Sequence, residues 1–299
     1  MTFAHSCRHP RLVCTSVTFS TTGWPGGVRA EATRRVRIVS LAQNVPGPVA
    51  VARLAAEGAE ATKIEPPWGD QLERLSKPWY DDLHRHVRVE RVDLKTAGGL
   101  ARVKAMLAAC DVLLASQRPS ALQRLGLDAL SLRAAFPSVN HVSIVGDSAQ
   151  PEEPGHDLTY QARAGLLADR MPLTLLADMA GAERAYGVIQ DVAARRGESR
   201  VVGLYDTLRD LAAPLRHRLT CQGGPLGGAN PAYAIYPTLD GTIAVGALEP
   251  HFRARLYEGL GLADGADPSA IFITKTAHEW ERWAAQRDLP LVALKHQSG

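Results

Sequence analysis

Residues 36–65 read VRIVSLAQNVPGPVAVARLAAEGAEATKIE. VRIVSLA is a continuous apolar run of the kind that forms a strand buried on both faces, and PVAVARLAAEG carries apolar residues at helical spacing up to Gly58. EATKIE then starts a second strand. A strand, a crossover helix and a strand within 30 residues is the unit from which parallel α/β sheets are built.

The same alternation continues outward. VRVERVDLK (87–95) alternates apolar and polar residues, LARVKAMLAAC (100–110) is a helix, and DVLLAS (111–116) is a strand. Short helices at ALQRLG and ALSLRAAF lead to the strand VNHVSIV (139–145). Several strands interleaved with helices at these lengths predict a Rossmann-like, mostly parallel sheet with flanking helices. No GxGxxG follows the first strand, where NVPGP stands instead, so nothing there calls for a dinucleotide.

Beyond residue 150 the pattern turns helical, at TYQARAGLLADRM, LLADMAGAERAYGVIQDVAARRG and LYDTLRDLAAPLRHRL. The Gly-rich stretch CQGGPLGGANP leads to a hairpin, AYAIYPTLDGTIAVGAL, with Asp240-Gly241 at its turn. Two amphipathic helices, HFRARLYEGLGL and TAHEWERWAAQRD, and a short strand, PLVAL, close a smaller α+β region. The organisation expected is a leader over 1–35, a large domain over 36–195 and a smaller domain over 196–299.

The 299 residues carry a formal charge of +3. The leader alone holds five Arg against one Glu, leaving −1 for the rest, so the fold itself has no nucleic-acid footprint. The leader has no sustained period and is expected to be disordered or to derive from an upstream start codon. No run approaches the roughly 18 apolar residues of a membrane span. The four cysteines are scattered without a CxxC pair, which fits a reducing cytoplasm.

Candidate chemistry lies at element junctions. His156 and Asp157 follow Pro154-Gly155 and precede a helical pattern, so Asp157 reads equally as an N-cap. Asp178 lies inside the apolar stretch LTLLADMAGA, where a carboxylate must be capped, paired or functional. Glu249 follows the strand TIAVGAL and precedes Pro250; it either dresses the first turn of a helix or points into a cleft. His84 and His86 lack a third metal ligand and read as surface histidines. The run from Gly223 to Gly228 lacks the Lys and Ser/Thr of a phosphate cradle and reads as a flexible linker.

Taken in order, the blocks at 36–70, 92–128, PGHDLTYQARAGLL, PLTLLADMAGA, DGTIAVGALEPHF and TAHEWERW resemble the family III CoA-transferases (CaiB/BaiF), which include the α-methylacyl-CoA racemases. The resemblance runs from about Val36 to Leu294 and lies nearest the racemase-like branch. It implies a CoA-binding Rossmann-type large domain, a smaller second domain and an interlocked homodimer whose site takes residues from both subunits. It also implies acyl-CoA thioester substrates, with coenzyme A entering as part of the substrate and no permanently bound cofactor. Carried over by position, His156 and Asp178 are the two acid/base groups of racemisation, and Glu249 supports His156. Asp157 is the position of the transferase nucleophile. Three readings follow: proton transfer at C2 of a 2-methylacyl-CoA, CoA transfer through an aspartyl-CoA intermediate on Asp157, or a shortened non-catalytic member.

Overall fold

In chain order, strands β1 (Arg37–Ser40), β2 (Glu60–Glu65), β3 (Val87–Arg91), β4 (Val112–Ala115), β5 (Asn140–Val145) and β6 (Ser199–Gly203) form one sheet. Helices α1 (Pro46–Ala56), α2 (Gln71–Leu75), α3 (Lys77–Leu83), α4 (Ala97–Leu107), α5 (Pro119–Leu125), α6 (Ala129–Ala135), α7 (Asp157–Arg163) and α8 (Leu176–Ala193) connect them. After α9 (Leu204–Leu211) and α10 (Ala213–Arg216), a second sheet contains β7 (Tyr233–Pro237), β8 (Thr242–Gly246) and β9 (Leu291–Ala293). Helices α11 (Pro250–Leu260), α12 (Ser269–Phe272) and α13 (Ala277–Ala285) accompany it. This computed structural model describes residues 35–295; all of the leader but its last residue lies outside them.

The six-stranded sheet is parallel throughout, in the order β3-β2-β1-β4-β5-β6. Its residues alternate between two cores, as period 2 requires when both faces are covered. Ile38, Val112 and Leu114 face the core shared with α1 and α8, whereas Val39, Leu113 and Ala115 face the core shared with α4, α5 and α6. Burying such a side chain contributes about 1.5–3 kcal/mol. The expected Rossmann-like architecture is therefore the one observed.

Three local readings are corrected. β6 adds a strand beyond those the sequence pattern predicts: as the outer strand it is partly exposed, and Ser199 and Arg200 hide its period. The large sheet thus continues past residue 195. The helix expected over 159–171 ends at Arg163, where Gly165 takes a left-handed φ of +72° soon after. His84 is half-buried rather than a surface residue: its Nδ1 lies 2.6 Å from the Tyr80 carbonyl, and burial lowers its pKa.

The smaller sheet is the expected hairpin with β9 added antiparallel to β8. One face packs Tyr236, Ile243 and Val245 against Leu256, Phe272 and Trp280, and the Trp280 indole donates to the Phe272 carbonyl at 2.7 Å. The glycine run at 223–228 folds into turns closed by backbone hydrogen bonds, such as Gly223 N to the Gly227 carbonyl at 3.0 Å. No helix among the described residues is long and apolar enough to cross a membrane.

Candidate active site

From β1 the chain winds to one side, through β2 and β3, and from β4 to the other, through β5 and β6. The helices that follow β1 and β4 therefore leave on opposite faces, and a crevice opens at the carboxyl ends of these two strands. A cleft of about 260 Å³ lies there. Gln43, Asn44 and Pro46 line it from the turn after β1, and Ser116, Gln117 and Arg118 from the turn after β4. The two turns are tied together: Gln43 N donates to Ser116 Oγ at 3.1 Å, and Gln117 Nε2 donates to the Leu41 carbonyl at 2.7 Å. Asn44 adopts a left-handed φ of 65°, and its amide is gripped by both oxygens of buried Asp70, at 3.1 and 3.0 Å.

The third wall carries the acid/base candidates. His156 and Asp178 both line this cleft. His156 is the N-cap of α7; Thr159 Oγ1 accepts from its amide at 3.0 Å and donates to its carbonyl at 2.8 Å, and the residue is exposed. Asp178 stands in the first turn of α8, and its carboxyl makes no hydrogen bond among the described residues. Burial, reinforced by the charge of Asp157, pushes it up from 3.8 to about 7. A carboxyl poised there can take or give a proton near neutral pH.

Asp157 faces the other way. It is 4% exposed, and Oδ1 accepts from the amides of Ala177 and Asp178 at 2.7 and 3.1 Å, while Oδ2 accepts from Gln161 Nε2 at 2.6 Å. The cap read from the sequence exists, but it closes α8 rather than the helix in which Asp157 sits. Asp157→Asn is expected to lower stability by about 1–2 kcal/mol, from loss of charge-assisted bonds at a helix start. Removing that charge should also bring the Asp178 titration below 7, which carbon-13 NMR of the aspartate carboxyls would follow.

Glu249 is the exposed N-cap of α11, beside the second sheet, and does not line the cleft. Within one chain the structure brings together His156 and Asp178 but not Glu249. Among the described residues no group of three His, Cys, Asp or Glu side chains is placed to hold a metal. Cys110 and Cys221 are unpaired, and burial pushes the Cys110 thiol up to about 12, well out of the reactive range.

The loop over 147–155, which carries Asp147, Glu152 and Glu153, is tied down. Asp147 pairs with Arg163 at 2.8 Å, and Glu152 accepts from Ser120 N and Oγ at 2.7 and 2.9 Å. Arg118, Asn44 and Tyr160 are cleft residues that the sequence alone did not single out.

Comparison with known proteins places this cleft in context. The model of CoA-transferase family III matches residues 34–174. Alpha-methylacyl-CoA racemase of Mus musculus is 29% identical over 288 residues, covering 83% of this chain and 73% of that protein. Succinate–glutarate CoA-transferase of Agrobacterium fabrum is 29% identical over 286 residues, covering 82% and 71%. A solved structure of a hypothetical protein from Mycobacterium tuberculosis superimposes with a TM-score of 0.75 at 20% identity, over 88% of this chain and 85% of that one.

Proposed function

We propose that the chain is an enzyme of CoA-transferase family III, whose model matches residues 34–174 and whose racemase and transferase relatives are 29% identical, and that its reaction is racemase-like proton transfer at C2 of a 2-methylacyl-CoA. One observation carries this reading. Asp178 opens into the cleft beside His156 with its carboxyl held at about 7, while Asp157 is spent on the amides that start α8. One base removes the α-proton, the C–H electron pair becomes the enolate, and the conjugate acid of the other returns a proton to the opposite face. Two groups of unlike type on one cleft suit that exchange.

The cleft is small for a whole acyl-CoA, but it continues. Gln43 and Gln117 also line a second, more apolar cavity of about 300 Å³, walled by Leu41, Ile64 and Trp68 and flanked by Lys95 and Arg124. Trp68 is 64% exposed, with the Lys95 ammonium 5.9 Å from its ring centre. This pairing suits a nucleotide: a stacking face for the base and cations for its phosphates. The thioester end then lies between His156 and Asp178. Trp68→Ala is expected to weaken binding of free coenzyme A by roughly tenfold in calorimetry, the loss of one stacked base.

Glu249 would reach His156 from a second copy of the chain. Exposed Ile235 and Val292 flank half-buried Ala244 in direct register across the smaller sheet, an apolar row that supports such pairing.

Solvent deuterium provides the test. Incubation of a (2R)- or (2S)-2-methylacyl-CoA in heavy water should place deuterium at C2 and scramble the centre. Its absence with every 2-methylacyl-CoA tried rejects the reading. The second reading, CoA transfer through Asp157, draws support from the Agrobacterium relative. It requires Asp157 to leave its three donors and attack the thioester carbonyl, expelling CoA thiolate and forming a mixed anhydride; the thiolate then attacks the aspartyl carbonyl, the anhydride C–O bond breaks, and the acyl group leaves as its carboxylate, with CoA held as the aspartyl thioester. Hydroxylamine would trap that species at Asp157.

A further inference from the structure

Tyr160 lies on α7 one turn after His156, is buried, and lines the same cleft. Its hydroxyl has no hydrogen-bond partner among the described residues. Other buried tyrosines differ: Tyr80 donates to Glu65 at 2.8 Å, and Tyr236 donates to the Pro231 carbonyl at 2.7 Å. The Tyr257 hydroxyl also lacks a partner, but it is enclosed in the core of the smaller sheet. The Tyr160 hydroxyl instead opens onto the cleft with no acceptor among the described residues, so it is free to donate to a molecule bound there.

Two glycines make room for it. Gly146 follows β5 and Gly155 immediately precedes His156. A Cβ on Gly146 would stand 2.0 Å from the Tyr160 hydroxyl oxygen, and one on Gly155 would stand 2.4 Å from it. The phenol therefore fits only against bare backbone, and its oxygen is wedged beside the residue that carries the imidazole. Burial and then the negative charge of Asp178 raise its pKa, so the hydroxyl keeps its proton through neutral pH and has it to donate.

We propose that Tyr160 is a catalytic residue whose hydroxyl donates to the thioester oxygen of the substrate, an assignment that rests on the racemase-like reading above. When the α-C–H bond breaks, the proton goes to His156 or Asp178 and the electron pair forms the enolate C=C. The thioester oxygen becomes negative, and the Tyr160 hydrogen bond strengthens without proton transfer. Reprotonation of C2 reverses these changes. A fixed donor aimed where charge develops stabilises the transition state more than the ground state.

Tyr160→Phe keeps the ring in its glycine slot and removes only the hydroxyl. The expected result is a fall of about 10²–10³-fold in kcat for exchange of the C2 proton of a 2-methylacyl-CoA, with KM and the affinity for free coenzyme A little changed. The melting temperature should stay level, because the hydroxyl makes no hydrogen bond among the described residues that the variant could lose. Wild-type kcat in this variant overturns the assignment and leaves the racemase-like reading standing. So does a rate loss matched by an equal loss of coenzyme A affinity or of melting temperature, the mark of packing alone. A wild-type enzyme that neither binds nor exchanges any 2-methylacyl-CoA overturns both.

Discussion

Asp178→Asn is expected to unfold at higher urea concentration than the wild type at pH 8, while its rate of C2 proton exchange falls by about 10²–10⁴-fold. The two effects have one cause. In the folded chain the carboxyl titrates at about 7, against 3.8 for an ordinary aspartate, because it is buried and faces Asp157. Between those values the folded state holds a proton that the unfolded chain has lost, so stability falls as pH climbs from about 4 to about 7 and stays lower above that. Asparagine carries no charge to desolvate, and its advantage should shrink to nothing as pH approaches 4. It also cannot exchange a proton with the α-carbon. A pH profile of exchange should show an inflection near 7 in the wild type that the variant lacks. A carboxyl that lowers the stability of the fold at working pH yet supplies a proton carrier trades stability for activity. Retained exchange, or a variant less stable at pH 8, contradicts this account.

What the sequence discloses depends on the range of the interactions involved. The β1–α1–β2 unit is legible because its signals are local: a run of strand length, a helical period and Gly58 at the break. β6 escapes because an edge strand does not need apolar residues on both faces. The site is harder. His156, Asp157 and Asp178 stand out as residue types at junctions, and the family resemblance gives them roles. Nothing local shows that the Asp157 carboxylate would bind amides 20 and 21 residues further on. That one long-range pair of bonds decides which aspartate is open to a substrate. Tyr160 is invisible for the same reason, since its slot is cut by Gly146 from another element and by Gly155. Arg118 and Asn44 become candidates only once the strand order puts the ends of β1 and β4 side by side.

Lys63→Met is expected to lower stability by about 3–5 kcal/mol, the cost of leaving buried charges without their partner. Lys63 sits on β2 with 1% of its surface exposed, its ammonium 2.6 Å from Asp70 and 3.0 Å from Glu65. The two carboxylates are as deeply buried as the lysine, and their other partners are weaker: the Tyr80 hydroxyl on Glu65, backbone amides on Asp70, and Arg91 at 3.9 Å. Methionine fills the space of the lysine stem but supplies no charge, so the packing term nearly cancels and the electrostatic loss remains. A surface pair such as Lys77–Asp81 is worth about 0–1 kcal/mol by contrast. The loss should reach the cleft, because Asp70 also holds the Asn44 amide in its left-handed turn. Such a conformation persists only where its surroundings enforce it. Urea unfolding of Lys63→Met should therefore show a lower midpoint with an unchanged slope. Adding Glu65→Gln and Asp70→Asn should restore part of the lost stability, since three neutral side chains leave no charge unpaired. The triple variant should nonetheless bind coenzyme A less well than the wild type, because an asparagine grips the Asn44 amide less firmly than a carboxylate. A single variant as stable as the wild type would show that this buried cluster does not hold the β1 turn.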